Sequence, residues 1–133
     1  MCAVLGREQN PPGPQRLTLP PTVVASHLRS CADDLATSLT ASGTAATVPE
    51  LLQVVEQLVA GQQALAVALE GLAHRVEGGG GNALAAAPET DVEVVSEVLR
   101  AAATAVGCSA DALAEAGPSF ECVSESVAPN TRL

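Results

Sequence analysis

The clearest pattern in the chain is a stretch in which apolar positions alternate in steps of four and three. This spacing places the positions on one face of an α-helix, which we predict over residues 49–77. In heptad terms every d position is Leu, and the a positions are Val, Leu and a single Gln. We interpret this face as a partner-binding surface, and it consists of Leu51, Val55, Leu58, Gln62, Leu65, Leu69, Leu72 and Val76.

A capping box predicts the start of this central helix. The hydroxyl of Thr47 can accept a hydrogen bond from a free first-turn amide, and Glu50 can reach back to the amide of Thr47. Pro49 fits between them, because first-turn amides have no partner inside the helix. Polar residues also recur every seven positions on the opposite stripe, which makes the helix amphipathic. They are Glu56, Gln63, Glu70 and Glu77.

The segment before the central helix divides into a proline-rich arm and a first helix. Residues 1–21 are predicted to be disordered, because proline fits neither a helix interior nor a central strand. The first helix is predicted over residues 23–42, with Thr22 as its N-cap and Gly43 after its end. Its apolar stripe is Val24, Leu28, Cys31, Leu35 and Leu39.

Two more helices are predicted after a glycine-rich connection at residues 78–82. The third helix begins at Pro88 and ends before Gly107. A short fourth helix covers residues 110–116 and is closed by glycine and proline. The apolar stripe of the third helix is Val92, Val95, Leu99, Ala102 and Val106.

These elements define an all-α protein, a small up-down-up helical bundle with a long amphipathic central helix, a short fourth helix and flexible termini. Strand-type alternation of apolar and polar residues does not occur. The predicted domains are a disordered arm at 1–21, a helical bundle at 22–117 and a tail at 118–133. In the tail we predict that Phe120, the single aromatic residue, anchors a short amphipathic segment in a groove of this chain or of a partner.

Composition and charge exclude several classes of partner. The formal net charge is −9 and the chain has no Lys, so neither a cationic surface nor stacking aromatics are available to hold nucleic acid. No apolar run is long enough to span a membrane, and the N-terminal apolar stretch is too short for a signal peptide. We therefore predict a cytoplasmic protein that binds neither nucleic acid nor membrane, and whose acidic surface suits a basic protein partner.

The heptad pattern of the central helix has two compatible interpretations. Leu at d and Val at two a positions are typical of a two-stranded coiled coil, with Gln62 as the polar a residue. The neighbouring e and g positions are mostly Ala, Val, Leu and Gly, which gives an apolar face wide enough for the centre of a bundle. A helix on the order of 40 Å long is longer than its neighbours, so its surplus length could pair with a second copy.

The chain offers little for catalysis. Glu93, Glu97 and Arg100 follow each other at helical spacing and are interpreted as a solvated helix face with one local ion pair. The glycine run follows no predicted strand, so it is not a nucleotide-binding loop. We predict that the protein is not an enzyme and holds no cofactor.

His27, Cys31 and Asp34 lie at steps of four and three and share one side of the first helix. This H-x3-C-x2-D string partly resembles the H-x3-C-x2-C element of zinc-binding anti-sigma factors, with Asp34 in place of the second Cys. The resemblance implies a metal- or thiol-responsive regulator that binds a basic transcription partner through helices. A structural zinc site needs four ligands, so we predict no metal site and expect all four cysteines to be small buried thiols.

The sequence as a whole predicts an acidic helical protein–protein interaction module that forms homo-oligomers through its central helix. The first alternative is the metal- or thiol-responsive regulator described above. The second is a small secreted helical effector, for which the WXG100 export substrates are the natural comparison. This chain has neither the Trp nor the Tyr that define those substrates.

Overall fold

The computed structural model describes residues 18–43, 45–78, 84 and 86–133. They form the helices α1 Pro21–Thr40, α2 Val48–Gly78, α3 Glu89–Ala114 and α4 Ala116–Ser126. The prediction of an all-α helical bundle is confirmed, because α2 packs against both α3 and α4.

The chain divides into two compact units, with the boundary before Ala45. Helix α1 belongs to the first unit, and the other three helices belong to the second. The predicted domains 1–21, 22–117 and 118–133 stay predictions. Most of the predicted arm lies outside the described residues, as do Cys2 and most of the predicted glycine-rich connection.

Helix α1 begins two residues earlier than predicted. The carbonyl oxygen of Pro20 accepts hydrogen bonds from the amides of Val23 and Val24, at 2.9 and 3.1 Å. Pro20 is therefore the N-cap, and Pro21 occupies the first helical position. Proline is tolerated there because its missing N–H would have no helical partner, so Thr22 is a first-turn residue and not the cap.

Helix α2 starts where the capping box predicted. The amide of Thr47 donates to the carboxylate of Glu50 at 2.7 Å, and the amide of Glu50 donates to the Thr47 hydroxyl at 3.3 Å. The hydrogen bond from the backbone amide of Thr47 to the carboxylate lowers the pKa of Glu50, and the side chain of Thr47 lowers it further. At 31 residues, α2 is the longest helix in the described part of the chain, and it ends at Gly78.

The boundary between α3 and α4 differs from the prediction. Helix α3 continues through Gly107 to Ala114, and α4 begins at Ala116 and includes Pro118 in its first turn. Gly107 does not end the helix because an interior glycine costs only about 1 kcal/mol relative to Ala, which packing against α2 can offset. Pro118 does not break α4 because first-turn amides need no intrahelical partner.

Small side chains form the seam between α2 and α3. On α3 the buried positions recur every seven residues, and they are Ser96, Ala103 and Ala110. On α2 the matching buried residue is Ala73. Larger apolar residues such as Leu99 and Val106 are only half-buried beside this line. Small residues at the seam permit two helix axes to approach to the lower end of the usual range, about 8 Å.

Helices α2 and α3 run in opposite directions. Arg100, in the first half of α3, pairs with Glu77 near the C-terminal end of α2. The chain then continues into α4, which lies beside the first turns of α2. Beyond α4, the backbones of Ala46 and Leu133 exchange two hydrogen bonds, at 3.0 and 3.3 Å. The last described residues are thus tied to the N-terminal end of α2.

Candidate interaction surfaces

The predicted partner-binding face of α2 is only partly covered in the structure. Of its eight residues, Leu72 is exposed and the other seven are half-buried. The neighbouring Ala73 is fully buried instead. Successive residues of a helix are turned by about 100°, so α3 packs to one side of the predicted stripe. The Leu residues at the d positions lie along the edge of the seam rather than at its centre.

One edge of the α2–α3 pair is charged, and we call it the polar flank. The guanidinium group of Arg100 donates hydrogen bonds to both carboxylate oxygens of Glu77. The Nε atom of Arg100 also lies 3.9 Å from a carboxylate oxygen of Glu70. The polar flank consists of these three residues together with Glu56 and Gln63, which continue the seven-residue series on α2.

The pairing of Arg100 with Glu77 changes the titration of both residues. The hydrogen bond from Arg100 lowers the pKa of Glu77, and the same bond raises the pKa of Arg100. The side chains of Arg100, Glu77 and Glu70 are 40–53% exposed, so water screens the pairing and its contribution to stability is small. The predicted local pair of Arg100 with Glu93 or Glu97 is wrong, because Arg100 lies on the edge of α3 that meets α2.

An open groove of about 450 Å³ lies between the start of α2 and helix α4. Its walls combine apolar and acidic groups, and the acidic groups are Glu56, Glu121 and Glu125. Among the described residues no cationic side chain pairs with these three carboxylates. The groove therefore continues the negative charge of the polar flank around the N-terminal half of α2.

The opposite edge of the α2–α3 pair, which we call the apolar flank, carries no such charges. Helical spacing places it on the side of the seam away from Arg100. Its larger side chains on α3 are exposed, with Val95 at 47% and Val98 at 62%, and Leu72 on α2 is 50% exposed. The apolar flank consists of Val54, Leu58, Leu65, Leu72, Val95, Val98 and Ala102.

The candidate ligands on α1 are solvent-exposed. His27, Cys31 and Asp34 are all exposed, as is most of the apolar stripe of this helix. No group of three or more His, Cys, Asp and Glu residues in the described part of the chain could hold a metal ion. Cys31, Cys108 and Cys122 are free and exposed, so the expectation of buried thiols is wrong for these three residues.

Phe120 lies in helix α4 and is half-buried. Helix α4 packs against α2 and contacts α3. Val123 is exposed and Val127 follows the end of the helix. Thus the predicted segment is helical up to Ser126, and the anchoring role of the half-buried Phe120 stays a prediction.

Sequence reasoning missed the small residues that form the seam. The predicted apolar stripe of α3 followed Val92, Val95 and Leu99, which excluded polar Ser96 and with it Ala103 and Ala110 at the same seven-residue spacing. The available signal was their seven-residue spacing, in register with half-buried Val92, Leu99 and Val106. The structure also leaves two buried polar atoms without a hydrogen-bond partner in its described part, Gln62 Oε1 and Ser96 Oγ.

Comparison with known proteins gives no relative: no protein family matches the chain, and neither a curated protein nor a solved structure matches it. In the described part of the chain, every helix is too short or too polar to cross a membrane.

Proposed function

We propose that this chain is an acidic helical interaction module that forms homo-oligomers through its central helix α2. The observation that supports the proposal most strongly is the exposure of large apolar side chains beside a seam of small ones. The fully buried residues in the described part of the chain are Val48, Ala73, Ser96, Ala103 and Ala110. Burial of apolar surface stabilises a protein by on the order of 25 cal/mol for each Å². Alanine has little apolar surface, so a seam of alanines contributes little stability.

Self-association would cover the apolar surface that the α2–α3 pair leaves in water. Contiguous exposed apolar patches on a soluble protein mark interaction sites more often than isolated exposed residues do. The apolar flank joins neighbouring positions from both helices, so it meets this description. A second copy packed along α2 adds large side chains to a structure whose own seam is made of small ones.

Solution mass tests this proposal directly. Light scattering over a concentration series should give a mass of two or more times 13.3 kDa. Refractive-index detection is needed because the chain has neither Trp nor Tyr. The mass should fall towards that of one copy on dilution if the association is reversible. A constant mass of 13.3 kDa up to the highest concentration would overturn the proposal.

A second candidate function is the binding of a basic protein, and the acidic groove beside α4 supports it. Glu56, Glu121 and Glu125 line an open cavity that also has an apolar wall, and no cation of the described residues neutralises them. Opposite charges across an interface accelerate association and set its salt dependence.

An arginine-rich peptide labelled with a fluorophore is a suitable probe for the groove. Fluorescence anisotropy should show binding that weakens as salt is added, and Glu121→Gln combined with Glu125→Gln should reduce it several-fold. The matched control is Glu93→Gln combined with Glu97→Gln, which removes the same charge from α3. Equal losses in both double variants would mean that net charge alone attracts the peptide.

A further inference from the structure

The two flanks of the α2–α3 pair differ in charge over the central part of both helices. From Val54 to Leu72 on α2 and from Val95 to Ser109 on α3, the positions of the apolar flank carry no charged residue. The polar flank carries Glu56, Glu70 and Glu77, with Arg100 as its one cation.

Charge complementarity disfavours pairing through the polar flank. Each copy has a net charge of −9, so two polar flanks placed together would bring unpaired carboxylates into contact. Like charges directly opposed across an interface cost several kcal/mol. Pairing through the apolar flank keeps the carboxylates on the outer surfaces, where water and salt screen them.

The size of the apolar flank suits a stable dimer. On α2 the apolar flank runs from Val54 to Leu72, which is 19 residues or about 28 Å. Two adjacent helices present a face about 20 Å wide, so the flank offers an area of about 560 Å², or about 1,100 Å² for two copies together. A specific protein–protein interface buries about 1,000 Å² in total or more.

We infer that the occupant of the apolar flank is the apolar flank of a second copy, related by a twofold axis, so that two α2–α3 pairs form a four-helix bundle. This inference rests on the proposed function and specifies its surface. An uncharged elongated face is complementary to itself, as a twofold interface requires. The large side chains at its centre, Leu65 and Leu72 from each copy, then form the core that the intramolecular seam lacks.

The inference is tested by introducing one carboxylate at a time on each face. Leu72→Glu, Val95→Glu and Val98→Glu place a charge on the apolar flank at positions already open to solvent, so each variant should keep its helical circular dichroism. Val67→Glu and Thr104→Glu are the controls, because both positions are exposed and helical spacing places them on the side of the seam that carries the polar flank.

Light scattering on the full chain distinguishes the outcomes. We expect a dimer for the unmodified chain and for both controls, and a dissociation constant raised at least tenfold for the three flank variants. Raising the salt concentration should strengthen the dimer, because it screens the repulsion between two acidic copies. The variants at Val95 and Val98 keep the test valid if Leu72→Glu loses helical signal.

Two results would contradict the inference in different ways. If the unmodified chain is monomeric at every concentration, both this inference and the proposed function are wrong. If it is oligomeric and the flank variants remain so, while Val67→Glu or Thr104→Glu dissociates it, only the location of the interface is wrong and the proposed function is retained.

Discussion

The polar and apolar flanks of the α2–α3 pair border the same seam, yet only the side chains of the polar flank have partners within the chain. On the polar flank, Glu70 and Glu77 reach across to Arg100, so charges from both helices meet within one chain. On the apolar flank, Leu72, Val95 and Val98 remain about half exposed or more. Long charged side chains can span the gap beside a closely packed seam, whereas shorter aliphatic ones cannot enclose themselves without another layer.

This difference follows from the size of the residues in the seam. With Ala73, Ser96 and Ala103 buried, the two helices make contact through small groups, and the larger residues are displaced to the edges. One edge is completed by ion pairing, which requires no further partner. The other edge is completed only by additional apolar surface, so it is the edge on which we locate the interface between copies.

The largest effect should come from enlarging the seam that separates the flanks. Ala73 is fully buried, so Ala73→Leu introduces three extra carbon atoms where no space exists. Overpacking of this kind typically costs 1–3 kcal/mol, and we expect about 3 kcal/mol because the opposing residues are also small. Urea unfolding followed by circular dichroism measures the loss. Ala60→Leu, at an exposed position of α2, is the control and should be nearly neutral.

Removing the aromatic residue of α4 should have the next largest effect, because α4 lies against the N-terminal end of α2 beside the acidic groove. Phe120 is half-buried, so Phe120→Ala should cost about 1–2 kcal/mol rather than the 3–5 kcal/mol of a fully buried Phe. The denaturant midpoint reports the change. Val123→Ala, at an exposed position of the same helix, should shift the midpoint less. Equal shifts would show that Phe120 is not the anchor of α4.

A smaller change in the opposite direction should follow from removing the buried hydroxyl of the seam. Ser96 is 1% exposed and its Oγ atom has no hydrogen-bond partner. Ser96→Ala removes this unsatisfied group and favours the helix, so it should stabilise the protein by about 1 kcal/mol. The exposed-site control Ser109→Ala gains helix propensity but removes no buried hydroxyl. Thermal unfolding of both variants therefore separates the gain in helix propensity from the gain of removing the unsatisfied group. Destabilisation by Ser96→Ala would mean that its hydroxyl is satisfied in solution.

The smallest effect should be found on the polar flank, through pH. Arg100 lowers the pKa of Glu77, so the stabilisation by this carboxylate is present above the ordinary glutamate pKa of about 4.3 and is lost as the pH falls through the lowered pKa. Glu77→Gln should therefore reduce the melting temperature slightly at pH 7 and leave it unchanged near pH 2. Glu97→Gln serves as the control, since it removes one charge without removing the pair. If Glu77→Gln still has a lower melting temperature than the unmodified chain at pH 2, the effect comes from packing and not from the ion pair.

Local features of the chain were predictable because their causes lie within a few residues of each other. The capping box at Thr47 and Glu50 was identified from spacing alone, and both of its hydrogen bonds are present. The extent of α2 was predicted to within one residue at each end, because its apolar and polar stripes are continuous. The start of α1 and the α3–α4 boundary were misplaced, because proline and glycine were treated as breakers at positions where first turns and packed helices tolerate them.

What the sequence determined by itself is the helical character of the chain, its acidic charge and the amphipathic design of α2, since periodicity and composition are properties of neighbouring residues. What only the tertiary structure decided is which part of each stripe is buried. Helix α3 approaches α2 over Ala73 rather than over the Leu series, and it directs Arg100 to α2 rather than to its own helix. That choice depends on how closely two distant helices can pack, which is set by the small residues of both helices together.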